Sequence, residues 1–168
     1  MNENGGATTE QTPYPAYRLR DAANSDHDFI YQIKKQSIYP YVERLFGWDE
    51  EYQRNDFESD FNMHDFKIIE ADERSVGFVQ TTENEYRINL TELHLLPAYQ
   101  GRGIGSDIIR GINARAVRNN KYVTTGCFIA NERARRLYER LGFSLKEKTN
   151  THYVFQYQAR PRELPAEK

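Results

Sequence analysis

Along this chain of 168 residues the apolar positions change spacing several times, and each change marks an element. Tyr17 to Arg20 can form a first strand. Asn24 or Ser25 is placed to cap a helix that carries Phe29, Ile30 and Ile33 on one face. Pro40 is expected to break or kink that helix, and Gly47 to end the short helix that follows. Asp49 can cap a further helical piece displaying Tyr52, Phe57 and Phe61. Phe66 to Ala71, Arg74 to Thr82 and Tyr86 to Leu96 then read as three strands of an antiparallel meander, turning at Asp72-Glu73 and Glu83-Asn84. Ile104, Ile108, Ile109, Ile112 and Ala116 share one face of a helix that should return the chain to a parallel strand, Tyr122 to Ile129. A helix over 131–140 and a hairpin of about 144–148 and 152–158 complete the order. Residues 1–15 and 160–168 read as disordered tails, leaving 16–159 as a single domain.

One junction in this pattern carries chemistry. The apolar run Leu90 to Leu96 leads into Gln100-Gly101-Arg102-Gly103-Ile104-Gly105, and a helix follows at once. Glycines let the backbone turn sharply and approach a ligand, while the unpaired N–H groups and positive end of the new helix attract an anion. A Walker loop is excluded, because no Lys followed by Ser or Thr comes after Gly105. A dinucleotide fingerprint fits only as Gly101-x-Gly103-x-x-Ser106, and Lys121-Tyr122-Val123-Thr124 stands where its acidic residue belongs.

The pattern Gln-x-x-Gly-x-Gly after Leu93-His94-Leu95-Leu96-Pro97 resembles the acetyl-CoA-binding motif of the GNAT superfamily of N-acetyltransferases. Downstream, Asn131-Glu132-Arg133-Ala134-Arg135-Arg136-Leu137-Tyr138 looks like that family's Asn-x-x-Ala-x-x-x-Tyr helix, ending in Leu141-Gly142-Phe143. The resemblance implies an α/β (α+β) GNAT fold: a mixed central sheet of about six to seven strands with flanking helices, splayed to leave a slot for the pantetheine arm. It also implies that Leu95, Leu96 and Pro97 line the arm and acyl carbonyl, and that the turn through Gln100, Gly101, Arg102, Gly103, Ile104, Gly105 and Ser106 holds the pyrophosphate. Ala134 and Tyr138 would complete the cofactor set, with Asn131 either assisting or only capping its helix. Tyr138 stands where the family often places its general acid, and a phenol with pKa of about 10 suits that role.

Composition fits one enzyme domain, 38% hydrophobic and of net charge −2. The charge is unevenly spread: Glu43 to Asp65 holds eight acidic against two basic residues, and Arg102 to Lys148 eleven basic against four acidic. A basic half suits the phosphates of CoA, an acidic half a cationic amine. The net acidity and the absence of a Lys/Arg-rich run argue against nucleic acid. No apolar run spans a membrane and no signal peptide is visible, so a cytoplasmic location is expected. The four histidines lack metal-ligand spacing, so no metal is expected, and Cys127 reads as a core thiol.

Acetyl transfer to an amine also needs a base. Glu92 and His94 share a strand face if no bulge intervenes; Glu92 is the first choice, with surface ion pairing as its alternative role, and His94 is read as structural. The aromatic segment around Tyr39 and Trp48, with Gln53 beyond it, lies where the fold usually builds its acceptor site, so Tyr39, Trp48, Gln53 and Glu92 are candidate substrate contacts. These aromatics can equally be core packing. The acceptor is expected to be a small-molecule amine; a protein or peptide N-acetyltransferase and a non-catalytic CoA sensor are the rivals. A homodimer is compatible with the family.

Overall fold

The computed structural model describes residues 16–158. Both expected tails lie outside them.

The elements run β1 (Tyr17–Asp21), α1 (His27–Phe46), α2 (Glu50–Asp60), β2 (Phe66–Ala71), β3 (Arg74–Glu83), β4 (Arg87–Leu95), α3 (Ile104–Arg118), β5 (Tyr122–Phe128), α4 (Glu132–Arg140), β6 (Ser144–Lys148) and β7 (His152–Tyr157). The strands form one seven-stranded sheet in the order β1-β2-β3-β4-β5-β7-β6. Only β4 and β5 pair in parallel, as the crossover through α3 requires. Asp72 and Glu73, at φ 50 and 61, make the tight turn between β2 and β3.

Two cores cover the sheet. On one face α3 buries Ile104, Ile108, Ile109, Ile112 and Ala116 against Val79, Ile88, Leu90 and Val123, joined by Tyr138 and Phe143. On the other, Ile30, Tyr31 and Ile33 of α1 and Phe57 of α2 pack on Phe66, Ile68 and Phe78. Each such side chain contributes roughly 1.5–3 kcal/mol of transfer free energy, which is what holds the helices to the sheet.

Two expectations near the N-terminus are corrected. Asn24–Asp26 form a short 3-10 turn, and neither Asn24 nor Ser25 caps α1. Asp26 does the local work, accepting from the Ala23 N–H at 2.8 Å and from the Arg20 guanidinium at 2.6 and 2.7 Å. Pro40, in turn, does not break the helix: α1 continues past it, from His27 to Phe46, with Gly47 as its C-cap. The missing N–H costs about 3 kcal/mol in a free helix. Burial on both sides of the proline, at Ile30, Tyr31 and Ile33 before it and Val42 after it, outweighs that cost.

The sheet opens where the site lies. β4 and β5 pair only over Arg87–Asn89 and Tyr122–Thr124, and each then continues with its other neighbour. In β4 the register steps from Thr81↔Leu90 to Gln80↔Glu92, leaving Thr91 as a bulge. The bulge shifts the alternation by one, so that Leu93 and Leu95 pack with the α3 core while His94 meets Phe78 of the α1 core, ring centroids 5.2 Å apart.

Candidate active site

The gap between β4 and β5 opens into a cavity of about 1230 Å³, reaching from the glycine turn to α1 and α2. At one end Gly101 (φ 73) and Gly103 (φ 89) take left-handed conformations that carry the chain from the 3-10 turn at Pro97–Tyr99 into α3. Gly103 is the N-cap, and no side chain caps the helix. The N–H groups of its first turn are therefore available at a wall lined by Gly101, Gly103, Gly105 and Ser106. Arg133, Arg136 and Arg140, on one side of α4, line the same cavity. A cradle of free N–H groups facing guanidinium groups is a site for a polyanion.

Of the expected cofactor contacts, Leu95, Gln100, Gly101, Gly103, Gly105, Ser106, Asn131, Ala134 and Tyr138 come together here. Leu96, Pro97, Arg102 and Ile104 do not line the cavity. The Leu96 N–H donates to the Val76 carbonyl at 2.8 Å, Ile104 is fully buried in the α3 core, Pro97 opens the 3-10 turn, and the Arg102 guanidinium lies 5.4 Å from the Tyr99 ring centre. The Asn131 side chain caps α4, accepting from the Ala134 N–H at 3.1 Å. Arg133, inside the quoted motif but unassigned from sequence, donates to the Gln100 side-chain oxygen at 2.7 Å.

Tyr138 reaches the slot from the α4 side, 8% exposed, packed on Phe143 and Phe155 and hydrogen-bonded to Thr125. Burial raises its pKa above the ordinary 10, only partly offset by Thr125, so the phenol is protonated near neutrality. Cys127 also lines the cavity, its thiol pushed up to about 11 by burial and so kept protonated.

Glu92 and His94 approach from the opposite face of the sheet. No bulge separates them, and His94 Nε2 bonds to Glu92 Oε2 at 3.0 Å. Glu92 Oε1 lies 2.7 Å from Lys34 Nζ of α1. Desolvation pushes the Glu92 pKa up, but the His94 bond and charge together with Lys34 outweigh it, leaving the carboxylate below its usual range and ionised at pH 7. Lys34 is a residue that sequence reasoning passed over. Its signal was present, since a lysine one turn after the buried Ile30 interrupts an apolar stripe.

Gln53 lines the cavity where it reaches α1 and α2, with Ser37, Tyr41 and Asp56. Tyr41 stacks on Phe128 at 5.1 Å, and Phe128 meets His152 at 4.2 Å; burial lowers the His152 pKa and keeps that ring neutral. Tyr39 and Trp48 are not brought into this cavity. They contact each other at 5.1 Å, and the Trp48 indole donates to Glu50 at 2.8 Å. Among the described residues no group of three or more His, Cys, Asp or Glu side chains is arranged to hold a metal, and no helix is long and apolar enough to cross a membrane.

Comparison with known proteins bears on this arrangement. The family model described as Acetyltransferase (GNAT) domain matches residues 62–145. Among solved structures, the PaiA N-acetyltransferase of Thermoplasma acidophilum in complex with coenzyme A is similar over 86% of this chain and 99% of its own, at TM-score 0.69 and 14% identity. Ard1 from Thermoplasma volcanium is similar at TM-score 0.63 and 16% identity, covering 84% and 97% of the two chains. Arabidopsis thaliana Naa50, in complex with the bisubstrate analogue CoA-Ac-MVNAL, is similar at TM-score 0.57 and 16% identity, over 85% and 99%. At these identities the structural likeness is one of fold. No curated protein sequence matches significantly.

Proposed function

The chain belongs to the GNAT acetyltransferases, and from that premise we propose that it moves the acetyl group of acetyl-CoA to the primary amine of a small molecule, by direct attack of the amine on the thioester. The residues present fit the cofactor: an uncapped helix start lined by glycines, three arginines facing it, and a gap between two strands wide enough to interrupt their pairing. Acetyl-CoA supplies an already activated acyl group, so the protein has to orient, desolvate and move protons.

The observation that carries this reading is the placement of Tyr138 and the Glu92–His94 pair on opposite sides of the β4–β5 gap. Glu92, ionised and in a desolvated wall, attracts an ammonium and with His94 takes up its proton. The two groups are hydrogen-bonded and act as one unit, so the proton belongs to the pair. Tyr138, held protonated by burial, returns a proton to the sulfur from the other face. A sensor of CoA would need neither group.

Helices α1 and α2, rather than an open strand edge, wall the acceptor end with Lys34, Ser37, Tyr41 and Gln53. That favours a compact acceptor. A second reading, a peptide acceptor, draws on Phe46 and Tyr52, which are 71% and 63% exposed outside the cavity. Thiol release from acetyl-CoA, measured over a panel of small primary amines and short peptides with free N-termini, separates the two. Turnover confined to peptides would overturn the small-molecule reading, and no turnover by protein that binds acetyl-CoA would overturn catalysis.

A further inference from the structure

Lys34 is the one lysine among the described residues that lines the cavity. Its side chain is 22% exposed and that of Glu92 16%, and Nζ stands 2.7 Å from Oε1 while His94 holds the other carboxylate oxygen. The carboxylate expected to receive an acceptor's ammonium therefore already holds a primary alkylammonium, the same chemical class. Lys35 makes the contrast. It is 33% exposed, yet its Nζ turns to Glu50 at 2.7 Å and lies 5.7 Å from the Trp48 ring centre, outside the cavity.

We infer that Lys34 is a self-acetylation site: with acetyl-CoA bound and no acceptor present, the enzyme acetylates its own Lys34 ε-amine. The inference rests on the acetyl-transfer reading above. The Lys34 ammonium gives a proton to the Glu92–His94 pair, and the neutral Nζ forms an N–C bond to the thioester carbonyl as the C–S bond breaks. Nitrogen loses two protons in all. One is matched by the proton the sulfur takes from Tyr138, and the other leaves to solvent, so the products are Nε-acetyl-Lys34, free CoA thiol and one proton. Acetylated Lys34 carries no charge and cannot pair with Glu92. The modification thus clears the carboxylate for an external ammonium.

The test needs no knowledge of the natural acceptor. The full chain is incubated with acetyl-CoA alone, and acetylation is followed by intact mass and peptide mapping, with calorimetric binding of acetyl-CoA measured on the same preparation. The expected result is a single acetyl group at Lys34, gained at least about tenfold faster than at the more exposed Lys35, and slowed about tenfold or more in Tyr138→Phe. Lys34→Arg should keep the cation and acquire no acetyl group at that position. If acetyl-CoA binds but Lys34 is acetylated no faster than Lys35, self-acetylation is overturned and the acetyl-transfer reading stands. If acetyl-CoA does not bind, both fall together.

Discussion

Arg133 and Gln100 join the two halves of the proposed cofactor site: the guanidinium donates to the Gln100 side-chain oxygen at 2.7 Å, and the Gln100 amide donates to the Leu95 carbonyl at 2.8 Å. One side chain thus ties the end of β4 to the start of α4 across the glycine turn. Arg133 Nη2 also lies 3.6 Å from where a Cβ on Gly101 would be, close over the turn itself.

Removing that guanidinium should loosen the turn and withdraw a positive charge from the proposed phosphate site. Arg133→Ala is expected to weaken acetyl-CoA binding about tenfold, equivalent to ~1.4 kcal/mol, with the melting temperature nearly unchanged. Calorimetric titration reads this directly; an unaltered Kd would remove Arg133 from the site.

Gly77 on β3 pairs with Leu95 so closely that a Cβ there would lie 2.2 Å from the His94 carbonyl oxygen. Gly77→Ala must push β4 away or distort it. A loss of about 2–3 kcal/mol in urea unfolding is expected. A change below about 0.5 kcal/mol would show that the strands accommodate the methyl group.

Tyr138→Phe keeps the packing on Phe143 and Phe155 and loses the Thr125 hydrogen bond. Stability should fall by about 1 kcal/mol and acetyl-CoA binding should persist, while kcat drops roughly 10²–10³-fold. Because the phenol's pKa is raised, its protonated form persists beyond the ordinary value of 10, and the wild type should show no loss of activity from this group below that pH. Retained kcat in the variant would dismiss Tyr138 as the acid.

Much of this was legible in the sequence because it is local. The isoleucine spacing of α3 and the three-strand meander each follow from neighbours in the chain, and the glycine turn is a run of adjacent residues. Pro40 was misleading because tertiary burial of Ile30, Tyr31, Ile33 and Val42 overrides a local rule. Tyr39 and Trp48 look like a binding wall in sequence, but which way Tyr39 inside α1 and Trp48 between α1 and α2 turn depends on partners such as Glu50, fixed only by folding. The Lys34–Glu92 pair spans two elements distant in sequence, and no spacing rule connects them.

Glu92 also sets an acid limit on stability. Its folded pKa is lowered, so its contribution is complete above the ordinary carboxylate range, near about 4.5, and is lost as pH falls through the folded value. Wild type should lose stability below that range more steeply than Glu92→Gln, which has nothing there to protonate. Parallel melting curves from pH 7 down to about pH 3 test it; equal slopes would mean that the ion pair contributes nothing.

In the proposed function the β4–β5 gap and the glycine turn hold acetyl-CoA. Calorimetric titration of acetyl-CoA into the wild type and into Gly103→Trp, each confirmed as folded by circular dichroism, addresses it most directly. Gly103 combines a left-handed φ of 89 with a place on the cavity wall, so an indole there fills the proposed phosphate cradle. Micromolar binding to the wild type that disappears in the variant is the predicted result. Folded wild-type protein that takes up no acetyl-CoA, or equal binding by both proteins, would contradict it.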